Sequence, residues 1–320
     1  MSATNTITTS QKSKANAVNS AYFALLGGIL AASFAAILIR LALDAGLPSM
    51  LIATGRLGIA AVILTPIVLT RYRHELRNLR KRDIVFSALA GFWIATHFIS
   101  LIISLDNTSV LVSQAISNSG PLWVAILEVI FLRATLSRPV WVGLGISIVG
   151  ALLIAIAGAT ASTALIGDNP ALGNTTAVFA AIAGAIYLTL GRRTRNHISI
   201  IPYVWILYTA GAITAGIALL VTQTPIVGHP IEGYVWLAIL ALMVQVGAHT
   251  GFNYAVGYLP ATLVSLVGPI VTVAAGIIAF LIFQEVPLPL EIIGSIVIVT
   301  GVVMAVIGQR SRKSAAKRKA

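Results

Sequence analysis

Polar side chains at helical spacing inside long apolar runs are the part of this 320-residue chain that could do chemistry. Gln245, His249 and Asn253 recur every four residues, which sets them on one face of a helix. Trp93, His97, Ser100 and Ser104 share a face of another helix, and Gln114, Ser117 and Asn118 precede Pro121 in a third. A polar group inside a membrane is costly unless it pairs or meets water. Each stripe is therefore either a cavity wall or a seam of helix–helix hydrogen bonds. If His97 and His249 face a cavity, neutral imidazoles there could bind a carboxylate or an amide. Arg56 could attract an anionic group or pair with Glu285. Glu128 could carry a proton as a coupling carboxylate or sit at an interface near Arg133. Tyr187 and Tyr208 could stack on a ligand, whereas Tyr203 and Trp205 fit an interfacial aromatic belt.

The elements that must hold these residues follow from composition. The chain is 58% apolar and 9% charged, against roughly a quarter charged in a soluble domain. Lipid must be part of its solvent, and in lipid only helices or closed barrels satisfy the backbone. Long continuous runs such as Ile146–Gly158 exclude the short alternating strands of a barrel. A span needs about 20 apolar residues. The sequence then predicts an all-α membrane protein with ten spans at about 20–43, 48–70, 84–105, 108–131, 139–158, 171–191, 201–222, 234–257, 260–283 and 289–308. Pro139, Pro170, Pro202, Pro260 and Pro289 fall near helix starts, where a missing N–H matters least.

Charge placement sets the expected orientation. Nineteen of the 21 Lys and Arg lie in the two tails and in segments 71–83, 132–138 and 192–200. The alternate segments, around 44–47, 106–107, 159–170, 223–233 and 284–288, carry none. This is the positive-inside pattern, so both termini are expected in the cytoplasm of a cell whose inner or plasma membrane holds the chain. The net charge of +12 therefore points to membrane topology and not to a nucleic-acid partner. The first 19 residues are polar, carry Lys12 and Lys14 and read as a cytoplasmic tail with no cleaved leader.

The two halves resemble each other. Gly143 and Gly150 match Gly294 and Gly301 at an offset of 151, and Leu105 matches Val256 at the same offset. Five spans is an odd number, so the second half must enter the membrane the other way up. The expected units are a tail at 1–19, a repeat at 20–158, an outer linker at 159–170, a repeat at 171–308 and a basic tail at 309–320. Inverted repeats place a binding site near the midplane between the halves, and His97 and His249 stand at near-equivalent positions in them.

Several motifs now carry a family resemblance. Thr96-His97-Phe98, Ser104-Leu105, Thr108-Ser109-Val110 and Pro121-Leu122-Trp123 resemble the first-half pattern of EamA-type members of the drug/metabolite transporter superfamily. Gly247-Ala248-His249-Thr250, Asn253-Tyr254-Ala255 and Tyr258 to Ser265 resemble the second-half pattern. Arg56, Tyr187 and Gly191-Arg192-Arg193 fit as well. The sequence departs from the family at Ala134, at Glu128 and at Val271-Thr272, where a Glu-Pro pair is common. The resemblance implies a secondary transporter of small metabolites, with export of amino acids or related compounds the leading cargo. Uptake or exchange of phosphorylated or nucleotide-linked sugars is the alternative, although such cargo asks for several bases facing the cavity. An intramembrane enzyme or a non-transporting assembly or sensor protein is the reading from another class.

Motifs exclude some chemistries. The chain has no cysteine, hence no disulfide or thiolate site. It has no HExxH, Gly-x-Ser-x-Gly or P-loop signature, so catalytic residues, bound metal and cofactors are not expected and ATP does not drive it. The expected partners are the bilayer, a small-molecule substrate and protons as the candidate coupling ion, with the protein acting as monomer or homodimer.

Overall fold

Long apolar runs leave the backbone no partner but itself, and the chain folds accordingly into ten long helices. The structure is a computed structural model that describes the backbone of residues 2–133, 135–160, 169–284 and 286–319. The helices are α1 (Asn16–Asp44), α2 (Ser49–Arg71), α3 (Lys81–Asn107), α4 (Val110–Phe131), α5 (Arg138–Thr160), α6 (Pro170–Thr194), α7 (Ile200–Val221), α8 (Ile231–Val256), α9 (Ala261–Phe283) and α10 (Pro289–Lys319). Eight are long and apolar enough to cross a membrane, and α5 and α10 carry the shorter apolar stretches Arg138–Ile154 and Pro289–Ala305. No strand occurs among the described residues. Large apolar side chains such as Leu30, Val62, Ile130, Leu220 and Ile296 are more than half exposed, which only lipid accommodates. The expected linker at 159–170 falls largely on residues outside those described, as does Glu285.

Contacts between loops sort the helix ends onto two faces. On the basic face, the Ser199 backbone N–H donates to Glu75 at 2.8 Å, and Arg192 donates to the Val256 carbonyl at 2.8 Å. On the opposite face, Ser49 donates to Asp106 at 3.1 Å, and Arg40 reaches the Thr108 carbonyl at 2.9 Å. Arg40 thus takes a backbone acceptor in the turn between α3 and α4.

The halves are inverted copies, and the glycines show how they meet. A Cβ on Gly143 would lie 2.5 Å from the Gly301 carbonyl oxygen, and one on Gly150 would lie 2.6 Å from that of Gly294. The reciprocal distances are 2.5 Å for Gly301 onto Gly143 and 2.7 Å for Gly294 onto Gly150. So α5 and α10 run antiparallel, each glycine facing the equivalent of the other glycine on its own helix, as a two-fold axis requires. Ser147 donates to the carbonyl of Ile298, its own equivalent at the offset of 151, which puts that pair on the axis. Arg133 and Gln284, equivalents at the same offset, both end their helices in the left-handed region at φ 50° and 57°. The other pairings follow the same symmetry: α3 packs on α6 as α1 packs on α8, and α4 packs on α9.

Three helices that line the centre are interrupted. α1 breaks at Phe34, α4 at Asn118-Ser119 before Pro121, and α9 at Leu266. α8 widens into a π-helix over Leu240–His249, a distortion that recurs at functional sites.

Candidate functional site

The breaks in α4 and α9 face each other across the molecule. Asn118 donates to the Thr272 hydroxyl at 3.0 Å, and that hydroxyl donates to the Gln114 carbonyl at 3.1 Å. An added Cβ on Gly268 would lie 2.7 Å from Asn118 Oδ1, so this crossing needs a residue without one. Beside it lies a cavity of ≈ 150 Å³, walled by α1, α2, α3, α4, α6, α8 and α9. Its polar side chains are Arg56, His97, Gln114, Ser117, Asn118, Tyr187, His249 and Ser265, set among small and apolar residues. Both repeats contribute, through helices that are discontinuous there, as in other inverted-repeat membrane proteins.

Phe98 organises one wall. Its ring carries the Arg56 guanidinium at 3.7 Å from the centroid, and the His249 ring meets it edge-on at 5.0 Å. Phe98 and His249 are equivalents at the offset of 151, so this contact also lies on the two-fold axis. His97 and His249 are thus near-equivalents one residue out of register, as the offset implies: the equivalent of His249 is Phe98. His97 Nδ1 donates to the Ala180 carbonyl at 2.7 Å, a carbonyl being able only to accept, which leaves Nε2 as the acceptor of a neutral ring. His249 Nδ1 has no protein partner among the described residues.

Arg56 is 1% exposed. Its Nε donates to Gln245 Oε1 at 2.9 Å, while Nη1 and Nη2 are buried and unpartnered among the described residues. An unpaired guanidinium in a low dielectric costs several kcal/mol, eased here by the aromatic face beneath it. Gln245 is 189 residues away, too far for sequence spacing to suggest. The alternative partner Glu285 lies outside the described residues.

The expected α8 stripe does not share one environment, because the helix widens where Gln245 and His249 sit. Of the three residues, only His249 reaches the cavity. Gln245 turns to α2, and its carbonyl accepts from Tyr208 at 3.1 Å. Asn253 is buried and donates to the His249 carbonyl at 2.7 Å. Trp93 is half-buried and stacks edge-on with Phe92 at 5.3 Å, away from the cavity. His97, Gln114, Asn118, Tyr187 and Arg56 do line the cavity, as do Phe98, Ser117 and Phe252. Tyr203 and Tyr208 are fully buried, so Tyr203 belongs to no interfacial belt. Trp205 is half-buried and donates to Thr65 at 3.0 Å. Phe98 went unmarked as a site residue in the sequence reading, where a lone Phe in an apolar helix carries no signal.

Glu128 is neither interfacial nor in the cavity. It is buried, and its carboxylate accepts the backbone N–H groups of Ala261 at 2.9 Å and Thr262 at 3.2 Å, together with the Thr262 hydroxyl. It caps the first turn of α9 from across the repeat boundary, where the helix leaves its N–H groups unsatisfied. Glu291, another buried acid, in the first turn of α10, accepts the Leu288 N–H at 2.7 Å.

Ten helices in inverted halves around a central cavity define a membrane transporter of small molecules, and comparison with known proteins agrees. The EamA-like transporter family model matches residues 19–156 and again 171–307, once per repeat. The chain belongs to that family. It is also similar to a protein described as the uncharacterized transporter YyaM of Bacillus subtilis (strain 168), at 24% identity over 259 residues, covering 79% of this chain and 83% of that one. A solved structure titled only as the crystal structure of a protein shares the fold, with a TM-score of 0.66 at 17% identity over 91% of this chain and 98% of its own.

Proposed function

We propose that this protein is a secondary transporter that moves a small metabolite by alternating access between its two repeats. The carrying observation is the central cavity at the facing breaks of α4 and α9, lined from both halves. The basic face is the cytoplasmic one, since the bases that set orientation gather there. Opening toward the cytoplasm then requires α9 to leave Glu128, and opening outward requires α4 and α9 to part at their other end. Glu128 could couple that motion to protons, because protonation removes its charge from the cap. Amino acids or related compounds, exported from the cell, fit the size and mixed polarity of the cavity. Phosphorylated or nucleotide-linked sugars fit less well, since Arg56 is the one Lys or Arg among the described lining residues.

The test is a thermal-unfolding screen of purified protein against a metabolite library, followed by flux in liposomes. Specific stabilisation that scales with ligand concentration, with flux of the same compound, is the expected result. Normal flux in His97→Ala and His249→Ala variants at wild-type expression would remove those two residues from the path.

A further inference from the structure

We infer that Arg56 anchors a carboxylate that is the cargo's only charge, so that the transported molecule is a monoanionic organic acid with a small apolar body. This rests on the transporter reading above and narrows its cargo.

The guanidinium is held with one edge left over. Gln245 takes Nε at 2.9 Å, Phe98 covers one face at 3.7 Å, and Nη1 and Nη2 have no partner among the described residues. That Nη1–Nη2 edge is the fork that accepts a carboxylate through two parallel hydrogen bonds. The ionisable side chains that share the cavity wall with Arg56 are His97, Tyr187 and His249, and Tyr208 lies beside them on the Gln245 carbonyl; none of these carries negative charge near neutrality. The buried carboxylate of Glu128 is not among the cavity's lining residues and is committed to the start of α9.

Pseudo-symmetry argues for a single charge. The equivalent of Arg56 across the two-fold axis is Leu207, which is fully buried and apolar. Among the described lining residues the cavity therefore has a cation on one side only, and no Asp or Glu. A dianion would bring a second charge with no partner, and an ammonium group would meet no carboxylate. A buried charge left unpaired is the costly case, so a monoanion is preferred over both. The rest of the wall sets Leu101, Val124, Phe252, Val267 and Val271 among the neutral polar side chains Gln114, Ser117, Asn118 and Ser265, and its apolar part suits a short aliphatic or aromatic body. Among compounds related to amino acids, the deaminated and N-acylated acids satisfy this cavity better than the amino acids themselves.

The experiment uses the full chain in liposomes and compares four probes of similar size: 4-methyl-2-oxopentanoate (monoanion), leucine (zwitterion), leucinamide (cation) and succinate (dianion). Shorter and aromatic monocarboxylates extend the first class. Half-saturation is read from the unfolding midpoint and from inhibition of flux. The monoanion class is expected to saturate at concentrations at least about tenfold below the others. Arg56→Gln should raise its half-saturation at least about tenfold, and Arg56→Lys, which keeps charge but loses the fork, should fall between. Arg56→Lys also keeps the comparison readable if Arg56→Gln does not fold. Equal or tighter binding of leucine or leucinamide, or monoanion binding unchanged in either variant, would overturn the inference. Flux of neutral or cationic library compounds with every monoacid inert would overturn it while leaving a transporter; no bound or transported compound of any class would remove the transporter reading as well.

Discussion

α4 and α9 touch at both ends of the central cavity, and the two contacts are equivalent by the repeat symmetry but opposite in chemistry. Toward the basic face, the Glu128 carboxylate holds the first N–H groups of α9. At the other end, Ala279 takes the place of Glu128, and the first turn of α4 meets α9 through Leu111, whose Cδ1 would lie 2.9 Å from a Cβ on Gly276. One end is closed by charge-assisted hydrogen bonds and the other by van der Waals packing. The comparison teaches that inverted repeats copy backbone geometry more faithfully than energy. On the alternating-access reading proposed above, closures that differ in kind give the transporter an intrinsic bias, and Glu128 is the residue we propose sets it.

Glu128→Ala should break the comparison most. It strands two backbone donors and a hydroxyl, for a loss of about 2–5 kcal/mol, seen as a lower unfolding midpoint. The chain has no cysteine, so a single Ser265→Cys reporter on the cavity wall can be titrated cleanly with a thiol reagent. Faster labelling from the basic face in the Glu128→Ala background is expected; unchanged labelling would mean that the carboxylate does not hold that end shut. Leu111→Ala should have the next effect. Leu111 is 8% exposed, and truncation should cost about 2 kcal/mol, the low end for a buried Leu. It should speed labelling from the opposite face and leave the basic face unaffected. Ala279→Glu in the Glu128→Ala background is the smallest and most discriminating change. A carboxylate at the start of α4 is worth about 1 kcal/mol, and labelling should shift its preferred side. If the side does not change, the bias resides elsewhere.

Much of the architecture was legible because hydropathy and charge act over whole helices. Ten long helices and the offset of 151 needed only long apolar runs and a few glycines. The site was legible only where a residue's type forced a question. A buried Arg such as Arg56 had to be satisfied by something, but spacing could not point to Gln245 on a distant helix. The α8 stripe was projected on regular α-helical geometry, and the π-helix at Leu240–His249 redistributed its members among α2, the cavity and their own helix. Tyr203 looked like a belt residue because belts and cores both recruit tyrosine near helix ends. Glu128 looked like a free acid because a cap supplied from another helix leaves no local signature, unlike Ser109, which accepts the Val112 N–H at 3.3 Å from its own chain neighbourhood.

The crossing of α5 and α10 carries a consequence for ancestry. Each glycine of one helix meets the equivalent of that helix's other glycine, with carbonyl approaches of 2.5–2.7 Å in both directions. That is the contact two copies of one five-helix chain would make if one copy were inserted in each orientation. Joining the copies adds nothing to this interface; what it adds is licence for the halves to diverge. Arg56 without a mate at Leu207, and Glu128 without a mate at Ala279, are features a dual-orientation dimer of identical subunits could not possess.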